Sequence, residues 1–425
     1  MKILLVRPRP HRETIGLQSV MICEPLELML LSAVLKKNGH DVALADMILE
    51  KQPFQKVMER HRPDAVCLTG YISHINVMKR YADIAKEVKP DVCVAVGGVH
   101  AAVCPQDFDH RSIDIVCPSE TELYTYLGCG DQAPLFPDRK IVSRYADRYY
   151  YLFQEKCALI KTSFGCPYAC NFCFCKEIAP YRARPVSEVI EELLEIPQEE
   201  VYIVDDNFLF DRERLLEFCR RIEESLIWKH FLVYGRASFI AENEDIIARL
   251  KGVGLSAVIV GIEAADQVEL DAYGKGVTVE QNIKAIEILR KHGIECYATV
   301  ILGPDWVKAD FDRLYRFIQD RGLVFVNLQP FTPMPGTPYF DRYKDSLIIP
   351  YTEHEKWDMA HLVIKPGKMS VRSYYWHILL LYYKITMRPK SAAYMLRKYG
   401  IRMTLKLSLG AARITAQYLR KILSG

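Results

Sequence analysis

Five short apolar runs recur through the first 125 residues, each closed by Gly, Pro or Asp: KILLVRP (2–8), DVALAD (41–46), DAVCLTG (64–70), VCVAVGG (92–98) and DIVCP (114–118). Runs that are apolar along their whole length predict strands covered on both faces, hence a parallel sheet wrapped by helices. The segments between them keep a helical period, as in PLELMLLSAVLKKNG (25–39), which ends on a glycine suited to a left-handed cap. The pattern predicts a doubly wound α/β domain of five βα units over residues 1–125.

Residues 126–156 break that rhythm with Gly, Pro and the cluster YYYLF, and read as a linker lying over an interface. From Cys157 the rhythm returns with CALIKTS (157–163), VYIVDD (201–206), FLVYGR (231–236), SAVIVGIE (256–263), ECYATVILG (295–303) and FVNLQP (325–330). Six units are too few for a closed eight-unit barrel and too regular for a sandwich. They predict a partial (β/α)6 barrel over 157–345, with chemistry at the C-terminal ends of its strands. Residues 346–425 read as a helical extension.

Thirteen cysteines scattered through 425 residues do not form the disulfide framework of a small secreted domain. The opening MKILLVRPRP has too short an apolar run for a signal peptide, and no stretch of about 18 uninterrupted apolar residues follows. A reducing cytoplasm is the expected compartment, and there thiolates are available to metal.

Four of the cysteines crowd into TSFGCPYACNFCFC (162–175). Cys166, Cys170 and Cys173 have the spacing C-x3-C-x2-C and follow the first barrel strand through Gly165. Three thiolates on one loop reach three corners of a [4Fe–4S] cube and leave its fourth iron open. Structural zinc is the plainer alternative, but it usually pairs C-x2-C with a distant second pair, and none follows here. Cys175 as a fourth ligand would close the cluster; two residues past Cys173, it reads better as a free thiol.

C-x3-C-x-aromatic-C, with Phe172 as the aromatic, resembles the radical S-adenosylmethionine (SAM) superfamily. The resemblance implies a cluster whose open iron chelates SAM, an electron donor such as flavodoxin or ferredoxin, and cleavage of SAM to methionine and a 5′-deoxyadenosyl radical. It also implies SAM-binding roles at later strand ends: Asp205 and Asp206 in VDDNF, Arg236 for the SAM carboxylate, and Glu263 in GIEAA near the ribose. Any one of these could instead be a capping or ion-pairing residue. No catalytic side chain is assigned, since hydrogen abstraction needs no general base. VILGPDW (300–306) departs from the Gly-Pro-Gly-acid loop of relatives, which puts contacts from that loop in doubt.

A five-unit sheet domain ahead of such a barrel is similar to the cobalamin-binding class of that superfamily, over roughly residues 1–345. The resemblance rests further on VAVGGVH (94–100), SETE (119–122) and PMPGTPYF (333–340). It makes Thr69, Gly70, Gly97, Gly98 and Val99 the expected cobalamin contacts, glycines after strands allowing a large planar cofactor close to the backbone. Ordinary tight βα turns would look the same. Many cobalamin proteins place D-x-H-x-x-G after the second strand. Here Asp46 is present, ADMILEK (45–51) has no His, and His100 is an ordinary feature of the GG-x-H loop rather than a replacement ligand.

Charge changes the picture only at the end of the chain. Residues 359–425 hold 13 of the 56 basic side chains and none of the 53 acidic ones, leaving 43 basic against 53 acidic before them, a net of −10. Tyr374, Tyr375, Trp376, Tyr382 and Tyr383 sit among Leu, Ile, Lys and Arg, a mixture that suits an interfacial helix on an anionic inner membrane face. A helical lid packed on the acidic body would also explain the split; nucleic-acid binding lacks any accompanying motif.

These observations lead to a cobalamin-dependent radical SAM methyltransferase that uses the deoxyadenosyl radical and methylcobalamin to methylate an unactivated carbon of an apolar or lipid-like small molecule. Cluster and cobalamin are expected to face one cavity. A non-methylating cyclisation, rearrangement or oxidation on the same architecture is the near rival, and a cobalamin or iron–sulfur sensor without turnover the distant one.

Overall fold

The computed structural model describes residues 1–15, 20–130 and 136–424. The chain divides into two units, one of Met1–Gly16, Cys23–Tyr149 and Pro350–Asp358, the other of Leu17–Ile22, Tyr150–Ile349 and Met359–Gly425.

In the first unit the apolar runs are strands β1 (Lys2–Arg7), β2 (Asp41–Asp46), β3 (Ala65–Thr69), β4 (Cys93–Gly97) and β5 (Ile115–Val116). They pair in parallel in the order β2-β1-β3-β4-β5. Successive residues Ile3, Leu4, Leu5 and Val6 are all buried, so both faces of the sheet are covered and no alternation was visible. The helix Leu26–Lys37 stops as its glycine predicts. Gly39 takes φ 81°, its N–H reaches Lys36 O, and the N–H of His40 reaches Leu35 O, the paired bonds of a Schellman cap.

Asp46, at the end of β2, is completely buried and chelates the Arg7 guanidinium, with Nε at 3.0 Å. The Tyr149 hydroxyl donates a further bond to it at 3.1 Å. Burying two charges is costly unless their remaining donors and acceptors are filled, and here they are. The segment up to Tyr149, most of the expected linker, therefore belongs to the first unit, while Tyr150–Tyr151 pairs with Met21–Ile22 in the second. Pro350–Asp358 also departs from the expected boundaries. It lies in the first unit, where Thr14 Oγ1 donates to Glu355 O at 2.9 Å, Asn76 Nδ2 to Glu355 Oε2 at 2.7 Å, and Trp357 is buried.

The second unit carries strands β6 (Ala158–Ile160), β7 (Glu200–Ile203), β8 (His230–Gly235), β9 (Leu255–Glu263), β10 (Glu295–Leu302) and β11 (Phe325–Pro330). All five neighbouring pairs are parallel and follow sequence order, with helices in the connections, which is the partial barrel.

The C-terminal extension forms two helices, Val371–Thr386 and Pro389–Ser424, the second broken at Gly400 (φ 74°, ψ 173°). Part of the expected interfacial set is core. Tyr374 and Tyr375 are 0% and 4% exposed, Tyr374 Oη donates to Gly303 O at 2.8 Å, and Tyr382 Oη donates to Leu328 O at 3.1 Å. Aromatic side chains with one polar tip suit a core and a membrane interface equally, so composition did not separate them. Trp376 and Tyr383 are 50% and 60% exposed. No helix among the described residues is long and apolar enough to cross a membrane.

Burial pushes the imidazoles of His74 and His354 in the first unit down to about 4, whereas in an unfolded chain each titrates near the usual ~6.5. Between those values the unfolded state binds more protons, so this stability is intact above pH ~6.5 and is lost as pH falls toward 4. The urea midpoint should drop between pH 7 and pH 4.5. The drop should shrink in His74→Gln/His354→Gln; an unchanged pH dependence in that variant would show that the two imidazoles are not its source.

Candidate functional site

The cysteine loop leaves β6 through a short antiparallel pair, Ser163–Phe164 with Arg182–Ala183. Gly165 then takes φ 68°, and a Cβ there would lie 2.4 Å from Ala179 O, so only glycine makes the turn. The loop is pinned at its middle. The Asn171 N–H donates to Tyr273 O at 3.1 Å, and Phe172 meets the Tyr273 ring edge-on at 5.7 Å. The Cys173 N–H turns back to Cys170 O at 3.2 Å.

Cys166, Cys170, Cys173 and Cys175 are all half-buried. Cys175 donates a thiol hydrogen bond that brings Cys173 down to about 7 and pushes Cys175 itself up. It also reaches Asp206 Oδ1 at 3.6 Å. Burial pushes the Cys166 and Cys170 thiols up, while the cations of Lys275 and Arg236 pull Cys170 the other way. Three soft thiols on a single pinned loop are a donor set that fits three corners of an iron–sulfur cube.

The two aspartates after β7 differ. Asp205 is 1% exposed and accepts from the Thr162 N–H (2.6 Å), Thr162 Oγ1 (2.6 Å) and Ser163 Oγ (2.7 Å). Those bonds turn it toward the root of the cysteine loop and away from any ligand. Asp206 is exposed, with Lys161 Nζ at 3.9 Å and the Cys175 thiol as its neighbours.

Arg236 follows β8 with its guanidinium 3.9 Å above the Tyr168 ring, Tyr168 being a residue of the cysteine loop itself. It donates to Ser238 Oγ and Gly276 O, both at 3.2 Å, which leaves most of its five donors for a carboxylate. Glu263 ends β9 at a register shift, with φ 60°, a strained value for a non-glycine residue. Its Oε1 accepts from Lys275 Nζ at 2.6 Å, and the same ammonium reaches Gly261 O at 2.6 Å. Lys275, Tyr168 and Asn171 escaped the sequence reading, because each acts through a fold-made neighbour and none belongs to a spaced motif. The departing VILGPDW loop is closed inward: Trp306 is buried and its Nε1 donates to Glu269 Oε1.

In the first unit the turns after β3 and β4 pack closely on one another through glycines. Gly98 has φ 97°, and a Cβ there would stand 2.6 Å from Thr69 Oγ1 and 3.1 Å from Gly70 N; one on Gly70 would stand 2.8 Å from His74 Cβ. Gly97 and Val99 flank that point, and Val99 opens the short helix Val99–Val103. The order in which strands are added reverses between β1 and β3, so Thr69 and Gly70 border the switch point where doubly wound sheets hold ligands. Gly98 is exposed at these strand ends, and glycine turns there fit a site where a large planar cofactor meets main chain. His100 is buried, its Nε2 2.7 Å from Asp107 Oδ2, which also accepts from Tyr351 Oη at 2.5 Å.

Residues 160–318 match the family profile described as the radical SAM superfamily, and residues 13–124 match the B12 binding domain. Among curated relatives, the hopanoid C-3 methylase of Methylococcus capsulatus is 25% identical over 410 residues, covering 88% of this chain and 78% of the relative. The anaerobic magnesium-protoporphyrin IX monomethyl ester cyclase of Rubrivivax gelatinosus is also 25% identical, covering 87% of this chain and 74% of the cyclase. Among solved structures, the radical S-adenosylmethionine methyltransferase TsrM from Kitasatospora setae, with cobalamin and [4Fe–4S] cluster bound, shares the fold with a TM-score of 0.69 at 16% identity over 99% of each chain. The chain belongs to the radical SAM superfamily, in the class that carries a B12 binding domain ahead of the barrel, and is an enzyme whose cofactors are a [4Fe–4S] cluster, S-adenosylmethionine and cobalamin.

Proposed function

We propose that the enzyme is a methyltransferase acting on an unactivated carbon of an apolar, lipid-like molecule. The carrying observation is the conjunction, in one chain, of a three-thiol loop at the end of β6 with close-packed glycine turns at the ends of β3 and β4, the switch point of the first sheet. The similarity to a hopanoid methylase supports the substrate class, and the apolar C-terminal helices suit a substrate drawn from a membrane surface.

When bound, the cluster with S-adenosylmethionine supplies a hydrogen-abstracting radical, and cobalamin supplies the methyl group. The chain's own task is placement and exclusion of water. In this reading Cys166, Cys170 and Cys173 hold the cluster. Arg236, kept planar against Tyr168, takes the SAM carboxylate, and Asp206 faces its ammonium group. Asp205 is a positioning residue, fixing through Thr162 and Ser163 where the loop begins. The Lys275–Glu263 pair holds the end of β9 at the adenosine side. Thr69, Gly70, Gly97, Gly98 and Val99 form the cobalamin site, with His100 kept from cobalt by its bond to Asp107. A second reading, cyclisation without methyl transfer, is favoured by the similarity to the protoporphyrin ester cyclase. Product mass separates the two: methylation adds one CH2 and consumes two SAM, and a product without added carbon would overturn the methyltransferase reading.

Alanine at Cys166, Cys170 or Cys173 should strip the iron–sulfur absorption and abolish SAM cleavage, while Cys175→Ala keeps both; a full cluster in Cys170→Ala would sink the ligand set. Arg236→Lys should weaken SAM binding about 10- to 100-fold, the loss of a charge-assisted fork, with the cluster unchanged. For cobalt, electron paramagnetic resonance of cob(II)alamin in the loaded protein should lack nitrogen splitting. A nitrogen triplet that vanishes in His100→Ala would assign His100 to the metal after all.

A further inference from the structure

Beyond Gly400 the last helix presents three faces. The backbone at Gly400, with φ 74° and ψ 173°, is one that only glycine adopts readily, so Ile401 opens a new helical phase. From there Ile401, Leu405, Leu409, Leu419 and Leu423 are 69%, 58%, 67%, 40% and 80% exposed, and the exposed Ala412 and Ala416 fill the interval between Leu409 and Leu419. The spacing of four, four, three, four, three and four confines all seven to an arc of about 80° at the α-helical period.

The inner face is occupied. Tyr418 is 1% exposed, packs on the Tyr375 ring at 5.8 Å and donates to Ala360 O at 3.3 Å. The cations that turn toward the barrel find acids there: Lys384 lies 3.4 Å from Asp312, Lys406 lies 3.8 Å from Glu155, and Lys398 pairs with Glu295. Arg402, Arg413 and Arg420 do not. They are exposed, have no ion pair among the described residues, and fall in an arc of about 20° bordering the apolar stripe.

We infer that the helix from Ile401 onward is a docking surface for an anionic lipid bilayer, lying in the interface with its leucine stripe among the acyl chains and its arginine row at the headgroups. The stripe is seven side chains long and one to two wide, the shape of a helix that lies on a membrane rather than through it. The unpaired arginines fix the sign of the partner, since residues 359–425 contain no acid to answer them. A second copy docked stripe to stripe would bring two arginine rows together. On the preceding helix, Trp376, Tyr383 and Met387 are 50%, 60% and 62% exposed at spacings of seven and four, a further apolar face with aromatic side chains of the kind that prefers an interface. The inference goes beyond the proposed reaction and holds whatever the substrate.

The full-length protein should co-sediment with vesicles of phosphatidylserine and phosphatidylcholine, and far less with phosphatidylcholine alone. Rising salt should weaken the binding without abolishing it. Leu405→Glu/Leu409→Glu should lower the partition at least tenfold and remove the salt-resistant part, and Arg402→Glu/Arg413→Glu/Arg420→Glu should remove the preference for anionic lipid. These side chains are exposed, so melting temperature and cleavage of SAM should stay as in the parent, which separates failure here from failure of the proposed reaction. Equal sedimentation of the leucine variant and the parent, or no sedimentation of the parent, overturns the inference. So does a dimer in solution that the leucine substitutions convert to monomer, which would give the stripe to a second copy.

Discussion

Asp205 is the constraint on which the root of the cysteine loop depends. Its carboxylate is buried, burial pushes its protonation upward, and three donors from Thr162 and Ser163 offset that cost. The bonds tie the C-terminal end of β7 to the exit of β6, two neighbouring strands of the barrel. The exit of β6 is where the chain must leave the sheet and turn through Gly165 into the cysteine loop. Loss of the carboxylate would free the root of that loop, while leaving the thiols and their spacing untouched in sequence. An acid that looks like a binding residue in VDDNF thus acts on the root of the cysteine loop.

The same economy recurs at β9. Glu263 sits in a left-handed conformation, which costs on the order of 1 kcal/mol or more for a residue with a Cβ, and the register shift beside it re-aims the strand end. The ammonium of Lys275 spans Gly261 O and the Glu263 carboxylate, both at 2.6 Å. Replacing that lysine by an apolar residue would leave a nearly buried carboxylate without its cation, the costly way to break such a pair. Lys275 also lies in the segment 272–276, which holds the cysteine loop through Tyr273 and Asn171 and holds Arg236 through Gly276. One short turn therefore joins the ends of β8 and β9 to the loop that carries the thiols.

What was legible in the sequence was what repeats or is spaced. Strands buried on both faces announce themselves as unbroken apolar runs, and Gly39 and Gly165 stand where only a left-handed turn fits. The cysteine spacing survives translation into structure because it lies within one loop. Features built from distant polar partners left no such trace. Pro350–Asp358 has no period, and its place is set by hydrogen bonds with Thr14, Asn76 and Asp107. The difference between Asp205 and Asp206 is one residue in sequence and a whole face in the fold, since adjacent positions after a strand point to opposite sides.

The C-terminal segment shows why composition alone could not choose between a lid and a membrane helix. Both readings need apolar and aromatic residues with excess positive charge, and the structure distributes those residues to both purposes. Tyr374 and Tyr418 are held inside by packing and by hydroxyl bonds to backbone carbonyls, and the buried Tyr375 hydroxyl accepts from the Leu362 N–H at 2.8 Å. Asp312, Glu295 and Glu155 neutralise the inward lysines. What remains outside is sorted by the helical period, and that sorting requires the break at Gly400. Without it, Ile401 and the positions that follow would continue the phase of Pro389–Tyr399, whose aromatic Tyr399 stacks on Phe153 at 3.5 Å. The glycine thus sets a helical phase beyond it in which Tyr418 is held in the core while an unanswered apolar face turns outward.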